Sequence, residues 1–363
     1  MKKTLSRKIM IAVMAAALAT PLSMGMAPQT AEAGSSILGN VIGAAINGAI
    51  YSSQLNQEIN QINNTEEGRN AYFAAMKKEL GVNTDWALNN RVSNIMTNLT
   101  AAIGSIDATV YDKPYQYFIN KDDSFNASCS LGHNMTINQG LFNVLDNDAE
   151  IAVVLGHEMG HGQKDHPAKG AKKSVGPAIL QQAMGGNILG TLAANLWNNQ
   201  GITKPMEWEA DNLSFDYITH SDYNPGATAA VWQRVIDKYG DKTPFVIGGS
   251  DHPSNTARRD NYEKKLEAYS GGHVSVTKDG IVEVNNQEFC VPAASGGMSS
   301  HERAYFVEGN LAAAFHNGQN ASAATAEGST VRLGAQPIMT CVSGDEDAQT
   351  LADRLNKIKD GKK

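Results

Sequence analysis

The segment LGHEMGHGQKDH, from Leu155 to His166, constrains this chain most, because it places three histidines and one glutamate in a pattern typical of a helix. The pattern begins at Asn147, whose side chain can cap the first turn while Glu150 completes a capping box. It ends before Pro167, which cannot continue a helix. We therefore predict one capped helix that carries these histidines.

Two of the histidines are spaced to share a metal ion. His157 and His161 lie four residues apart, which puts them on one helix face, about 6 Å apart along the axis. Glu158 projects beside such an ion, where a carboxylate can take the proton of a water that attacks a carbonyl group. The His-Glu-x-x-His pattern is typical of zinc hydrolases. We predict one Zn²⁺ per chain, with Glu158 as the catalytic base.

A catalytic zinc site typically takes three protein ligands, so a third is needed. The downstream candidates are His166, Glu207, Glu209, Asp211 and His252. On a helix, Glu207 and Asp211 share a face and Glu209 points elsewhere. We predict Glu207 as the third ligand and Asp211 as the carboxylate that holds a ligand histidine. The alternative is an exposed acidic turn at the start of a helix.

Three motifs together carry a resemblance to a known family. HEMGH at 157–161, EWEAD at 207–211 and HPSNTAR at 252–258 resemble the HtpX-like and BepA-like zinc metallopeptidases, a group that includes the CAAX prenyl endopeptidase. Segment 126–141, NASCSLGHNMTINQGL, is similar in register to a further family segment. The resemblance spans roughly residues 69–269. It implies a zincin-like core and agrees with Glu207 as the third ligand.

The family uses segment 126–141 as the edge strand of its active site. An exposed strand edge binds a peptide by adding it as a further strand. The substrate-binding residues implied by the resemblance are Asn126, Ala127, Cys129 and Arg258. His133 stands where the family usually has glycine, and we expect it to be an ordinary surface residue.

The loop that precedes HPSNTAR contains a further candidate. His252 corresponds to a family histidine that can occupy the position of the catalytic water, so the resemblance implies a catalytic or gating role for it. The alternative is a plain His-Pro turn. Arg258 matches the family arginine, which supports the site or contacts substrate.

The N-terminus is typical of a signal peptide, with a basic start, an apolar run and small residues at Ala31 and Ala33. The run, Ile9–Leu18, is shorter than the roughly 20 residues of a membrane span, so we expect export with cleavage rather than an anchor. The predicted domains are 1–33, a signal peptide; 34–68, a helical or linker segment; 69–269, the zinc metallopeptidase domain; and 270–363, a small C-terminal α/β accessory module.

The remaining sequence predicts an α+β, mostly helical chain with a short edge-exposed sheet. In the C-terminal module, Asp279 and Gly280 suit a hairpin turn, Ser299 and Glu302 cap a helix, and TVRLGAQPIMTCV is strand-like. The module therefore has the predicted order ββαβα, and we find no internal repeat. We also predict a disulfide bond between Cys290 and Cys341, since export favours bridges.

The excess of acidic over basic residues limits which classes of molecule the chain can bind. The chain has 30 basic and 37 acidic residues, and the predicted signal peptide contains four of the basic ones, so nucleic acid is excluded as a partner. Segment 175–197 is apolar but contains Gln and Asn, which favours a buried helix and leaves at most peripheral membrane contact.

These features predict an exported zinc endopeptidase, located in the periplasm or at the extracellular face of the bacterial cell envelope. Misfolded or stalled envelope proteins are the polypeptide substrates that the resemblance implies, and the C-terminal module could bind clients or an adaptor. The alternative is a chaperone or assembly factor that binds clients with little proteolysis, against which Glu158 argues. A lipid or prenyl-protein processing enzyme is disfavoured, because the mature sequence offers no membrane spans.

Overall fold

A computed structural model describes residues 53, 55–174, 201–241 and 253–361. The predicted signal peptide, the apolar segment 175–197 and His252 lie outside the described residues, so their predictions stay predictions. Within the described ranges, no helix combines the length and the hydropathy needed to cross a membrane.

The described residues are mostly helical with three small sheets, which confirms the predicted α+β class. Helical residues 55–64 precede the first numbered element. The helices are α1 (Glu66–Leu80), α2 (Trp86–Ile106), α3 (Asp148–Gln163), α4 (His166–Ser174), α5 (Lys204–Thr219), α6 (Ala227–Tyr239), α7 (Asn255–Tyr269), α8 (Ser300–His316) and α9 (Ala348–Ile358). The strands are β1 (Gln116–Asn120), β2 (Ala127–Ser130), β3 (Asn134–Asn138), β4 (Val274–Val276), β5 (Val282–Val284), β6 (Gln287–Cys290), β7 (Ala324–Glu327), β8 (Thr330–Leu333) and β9 (Gln336–Thr340).

The first sheet lies beside α3 and has the strand order β1-β3-β2. Strand β1 runs parallel to β3, whereas β2 runs antiparallel to it, with Cys129 opposite Met135. Both of these side chains are buried in one cluster with Leu155 and Met159 of α3. Among the described strands, β2 pairs with β3 alone. The sheet therefore packs on the histidine helix and leaves one edge of β2 beside it.

Helix α3 begins at the predicted cap, since the Asn147 side chain accepts a hydrogen bond from the Ala149 N–H at 2.8 Å. The predicted capping box is wrong. Glu150 is fully buried and its carboxylate lies 3.3 Å from the guanidinium of Arg234 on α6. Because this arginine offers a charged partner within the core, Glu150 turns inward rather than back to the cap.

Helices α3 and α5 pack closely because a glycine stands at their contact. A Cβ atom on Gly160 would lie 3.2 Å from the carbonyl oxygen and 3.3 Å from the Cα of Ala210. Ala210 itself is fully buried. This short approach brings Glu207 and Asp211 of α5 against His157 and His161 of α3.

The C-terminal region differs from the predicted ββαβα order. Three strands precede α8 and three more precede α9, so the order is βββαβββα and the topology repeats. Asn285 and Asn286 have positive φ and form a second tight turn that starts β6. Gly334, with φ +57°, reverses the chain inside the segment that reads as one strand, and divides it into β8 and β9. Local hydrophobicity does not reveal such reversals.

The core of this region is shared with the preceding helices. One buried cluster contains Phe215 of α5 and Tyr262 and Leu266 of α7. It also contains apolar residues from each of the six strands β4 to β9, among them Val282 and Phe289. The proposed boundary at residue 270 therefore crosses a continuous apolar core. The division into two functional units stays a prediction.

The three cysteines are free thiols in the described structure. Cys290 is buried, with its Sγ 3.9 Å from the Sδ of Met339, and Cys341 is partly exposed on the segment after β9. The predicted Cys290–Cys341 bridge is therefore wrong for this structure, because the neighbour of the Cys290 sulfur across the sheets is a methionine.

Candidate metal centre

The structure brings the three predicted ligands together. The Nε2 atoms of His157 and His161 are 3.1 Å apart, and each lies 3.5 Å from a carboxylate oxygen of Glu207. One donor atom from each residue falls within 4.8 Å of the others, and all three side chains are buried. Helix α3 supplies the histidines and α5 the carboxylate.

The hydrogen bonds around the two rings make this group suited to a cation. His157 Nδ1 lies 2.8 Å from Asp211, and His161 Nδ1 lies 2.9 Å from His166. With the Nδ1 protons donated outward, both Nε2 lone pairs point at each other and at Glu207. Three electron-rich donors at such distances repel one another in a buried site unless a positive charge lies between them. The donor set therefore fits a metal ion.

Asp211 and Arg258 form a buried ion pair behind His157. Arg258 Nε donates to Asp211 Oδ2 at 2.8 Å, its Nη2 contacts Oδ1, and Tyr262 donates to Oδ1 at 3.1 Å. Burial alone would raise the pKa of Asp211, but Arg258 and His157 lower it below its ordinary value. The carboxylate stays charged and accepts the Nδ1 proton of His157, as the helix spacing predicts for Asp211.

Arg258 is buried, and it reaches the site from behind. Its guanidinium carbon lies 3.7 Å from the ring centroid of Trp232, and Nη2 lies 3.0 Å from His157 Nδ1. Only 8% of the residue is exposed. Of its two expected roles, these contacts are those of a residue that supports the site, and they leave little surface for substrate.

Glu158 lies at the junction of α3 and the sheet. Its Oε2 accepts a hydrogen bond from the backbone N–H of Cys129 at 2.8 Å. Burial raises the pKa of Glu158 to about 7, although His157 and the Cys129 N–H oppose the rise. Because the Cys129 N–H is used this way, it belongs to the edge of β2 that faces away from β3.

A different set of contacts lies behind His161. His166 is buried and its Nε2 lies 3.0 Å from Glu209 Oε2, while Glu209 is half exposed. Burial lowers the pKa of His166 to about 4, so the ring is neutral at pH 7. Glu209 stays outside the donor group, as the helix spacing predicts, but it reaches the site through His166.

Three of the predicted substrate-binding residues, Asn126, Ala127 and Cys129, lie on or beside β2. The Asn126 carbonyl accepts a hydrogen bond from the Asn138 N–H at 2.9 Å, and β2 begins at Ala127. The Cys129 side chain is fully buried, and burial raises the pKa of its thiol. Only its backbone is therefore placed to take part in the site.

The expectation for His133 is wrong. The residue is buried, with φ +57°, and its ring stacks on Tyr115 at 4.4 Å. Its two ring nitrogens lie 2.7 Å from the Lys113 carbonyl and 3.0 Å from the Gly162 carbonyl. The ring therefore connects the loop before β3 to the end of α3. A glycine at this position has no side chain to reach these two carbonyl oxygens.

Two residues of the site and one contact between side chains escape the sequence analysis. Tyr262, Trp232 and the pairing of His166 with Glu209 each contact a ligand or its support. Tyr262 stands four residues after Arg258, on the same face of α7, so helical spacing could have found it. Trp232 lies on another helix and carries no local signal.

Comparison with known proteins gives relatives that share part of the chain. Mitochondrial metalloendopeptidase OMA1 of Arabidopsis thaliana is 29% identical over 148 residues, covering 40% of this chain and 30% of that protein. The Beta-barrel assembly-enhancing protease of Escherichia coli K12 is 24% identical over 151 residues, covering 37% and 31%. Metalloprotease LoiP of the same organism is 23% identical over 189 residues, covering 50% and 73%. The chain thus spans about a third of the first two relatives.

The sequence model of peptidase family M48 matches residues 87–266. This range contains Glu158, the three residues of the donor group and the supporting residues Asp211 and Arg258. It confirms, at the level of the family, the resemblance to HtpX-like and BepA-like metallopeptidases. Residues 87–266 of this chain are a peptidase family M48 domain.

Proposed function

We propose that this protein is a zinc-dependent endopeptidase, exported to the bacterial cell envelope, that hydrolyses misfolded or stalled envelope proteins. The observation that carries the proposal is the position of Glu158, which is hydrogen-bonded to the edge strand β2 and adjoins the buried donor group His157, His161 and Glu207. A base beside a metal group and a strand edge is an arrangement suited to metal-dependent peptide hydrolysis.

The donor distances agree with zinc. Ligand atoms about 2.1 Å from a tetrahedral zinc ion lie about 3.4 Å from one another. The separations in this site are 3.1 and 3.5 Å. Two neutral imidazoles and one carboxylate are also a ligand set that catalytic zinc sites use, with the fourth position left for water.

Different residues of the chain have separate roles in the proposed hydrolysis. The outward edge of β2 can pair with an extended peptide and present its scissile carbonyl beside the donor group. When bound, zinc polarises the carbonyl and lowers the pKa of the attacking water. Glu158 Oε2 is held by the Cys129 N–H, which leaves Oε1 to take the proton of the water and to pass it to the departing amine. Asp211 and Arg258 keep His157 in place throughout.

The substrate class and the location are supported by the relatives and by the sequence. The Beta-barrel assembly-enhancing protease, the metalloprotease LoiP and the metalloendopeptidase OMA1 are each similar to a part of the chain. The signal-peptide pattern of residues 1–33 adds export. Together these support quality control in the envelope, with the C-terminal module as a site for clients or an adaptor.

Two variants test the proposal. The purified chain should contain one zinc ion and degrade casein. Glu158→Gln should retain zinc and lose at least about 10²-fold in turnover, since it removes the base alone. Glu207→Ala should lose zinc and activity together. The control is Glu79→Gln, an exposed carboxylate on α1, which should match wild type in both.

Other results would reject parts of the proposal. Wild-type turnover in Glu158→Gln would exclude Glu158 as the base, and full zinc occupancy in Glu207→Ala would exclude that ligand. A zinc-loaded wild type that suppresses aggregation of unfolded envelope proteins without cleaving them would support the chaperone alternative.

A further inference from the structure

Two hydrogen bonds connect His161 to the protein surface. His161 Nδ1 lies 2.9 Å from His166 Nδ1, and His166 Nε2 lies 3.0 Å from Glu209 Oε2. The His166 side chain is 1% exposed, whereas that of Glu209 is 48% exposed. His166 begins α4 and Glu209 belongs to α5, so this path joins both helices to the histidine helix α3.

Only one arrangement of protons satisfies both bonds with neutral rings. His161 turns Nε2 toward His157 and Glu207, so its proton is on Nδ1 and is donated to His166. His166 Nδ1 is then an acceptor, and a neutral imidazole with an acceptor Nδ1 carries its proton on Nε2. That proton is donated to Glu209, which as a carboxylate only accepts. The carboxylate thus fixes the tautomer of both rings.

The ligand histidines are therefore held by two different routes. His157 donates directly to Asp211, whereas His161 reaches its carboxylate through a second imidazole. Ligand histidines generally donate their second N–H to such a partner, and loss of the partner weakens metal binding. The position of His166 and Glu209 gives them this task for His161.

We infer that His166 and Glu209 are positioning residues, which hold the tautomer and the ring orientation of the metal ligand His161. The inference rests on the proposed metallopeptidase function. Both residues contact the donor group through His161, and neither belongs to the group itself. Substitution of either residue should lower the affinity for zinc more than it lowers the stability of the fold.

The experiment compares matched variants at both positions. His166→Phe keeps a ring but removes both nitrogens, while His166→Gln restores an acceptor and a donor with similar separation. Glu209→Ala removes the terminal acceptor and Glu209→Gln restores a neutral one. The control is Asp216→Ala, an exposed acid further along α5. Zinc affinity is measured by chelator competition, and the tautomer of His161 by ¹⁵N NMR with and without zinc.

We expect His166→Phe to bind zinc about 10- to 100-fold more weakly, with Glu209→Ala affected less, and with both amide variants within about threefold of wild type. His161 should be the Nδ1–H tautomer in wild type and mixed in the metal-free His166→Phe variant. Should His166→Phe fail to fold, Glu209→Ala and its amide partner decide the question.

Unchanged zinc affinity and tautomer in His166→Phe or in Glu209→Ala would overturn the inference. A wild type that binds no metal would instead reject the proposed function, and the NMR of the metal-free protein would still decide whether His166 sets the tautomer of His161. Equal losses in Asp216→Ala would show that the effect is not specific to this path and would also overturn it.

Discussion

Helix α3 is held by two arginines, Arg258, which is buried, and Arg234, which is partly buried, and they face different numbers of carboxylates. Near the donor group, Asp211 is the carboxylate that forms an ion pair with Arg258 among the described residues. Two turns earlier on α3, Arg234 faces Glu150 together with Glu302 of α8 and the exposed Asp146. The first site supports His157 of the donor group, whereas the second joins the histidine helix to the C-terminal region.

The two sites differ in how nearby charges change the pKa of a buried carboxylate. Asp211 and Glu150 are both fully buried, so burial alone would raise the pKa of each. Arg258 and His157 lower the pKa of Asp211, whereas burial and Glu302 raise the pKa of Glu150 to about 8 in spite of Arg234. The ratio of cations to carboxylates therefore decides the protonation state. One site keeps its charge and the other keeps a proton.

The largest expected effect is at the charged site. Asp211→Ala leaves Arg258 buried without its counter-ion, which should lower the free energy of unfolding by about 3–5 kcal/mol. The loss should be measured by urea denaturation. Asp146→Ala is the matched control, because Asp146 is an exposed partner of the other arginine, at 65% side-chain exposure. Its loss should stay within about 1 kcal/mol.

This prediction also tests the comparison itself. If Asp211→Ala destabilises the protein no more than Asp146→Ala does, the Asp211–Arg258 pair contributes little, and burial of the pair does not distinguish the two arginine sites.

A smaller effect, dependent on pH, is expected at the protonated site. The pKa of Glu150 is about 8 in the folded chain and 4.5 for the ordinary group, so between these values the folded state binds more protons than the unfolded state. Its stabilising contribution is complete below pH 4.5 and is lost as pH rises through 8, by up to about 1.4 kcal/mol per pH unit. Glu150→Gln keeps the shape and has no proton to lose.

Urea denaturation of wild type and Glu150→Gln at pH 5 and at pH 8 measures this difference. The variant should gain about 1–3 kcal/mol relative to wild type between the two pH values. Glu79→Gln, on the surface of α1, supplies the comparison for an exposed carboxylate. A difference between Glu150→Gln and wild type that is the same at both pH values would show that Glu150 is charged like Asp211.

The two sites also show why one was predictable from sequence and the other was not. Asp211 follows Glu207 by one helical turn, so spacing alone puts both on the face that meets His157 and His161. Glu150 follows Asn147 in the pattern of a capping box, and that local pattern is identical whether the glutamate caps the helix or turns to an arginine from a distant helix.

The same distinction applies to the rest of the fold. The histidine helix α3 follows from its spacing and its cap, and its boundaries agree to within a few residues with the sequence prediction. The strands β6 and β7 were missed because their turns depend on positive φ at Asn285, Asn286 and Gly328 rather than on alternation. The disulfide prediction used cysteine number and compartment alone, which carry no information on which strands are neighbours.

The smallest expected effect concerns the cover over Arg258. Trp232 lies 3.7 Å from the guanidinium carbon, so its ring can stabilise the buried cation in addition to Asp211, a contact for which Arg234 shows no counterpart among the described cation–ring contacts. Trp232→Phe keeps an aromatic face and Trp232→Leu does not. We expect the leucine variant to be less stable than the phenylalanine variant by about 0.5–1 kcal/mol.

The same pair of variants in an Arg258→Met background gives a double-mutant cycle that removes the packing difference between Phe and Leu. If the difference persists unchanged without the arginine, it reflects packing alone, and the charge of Arg258 is balanced by Asp211 without help from the ring.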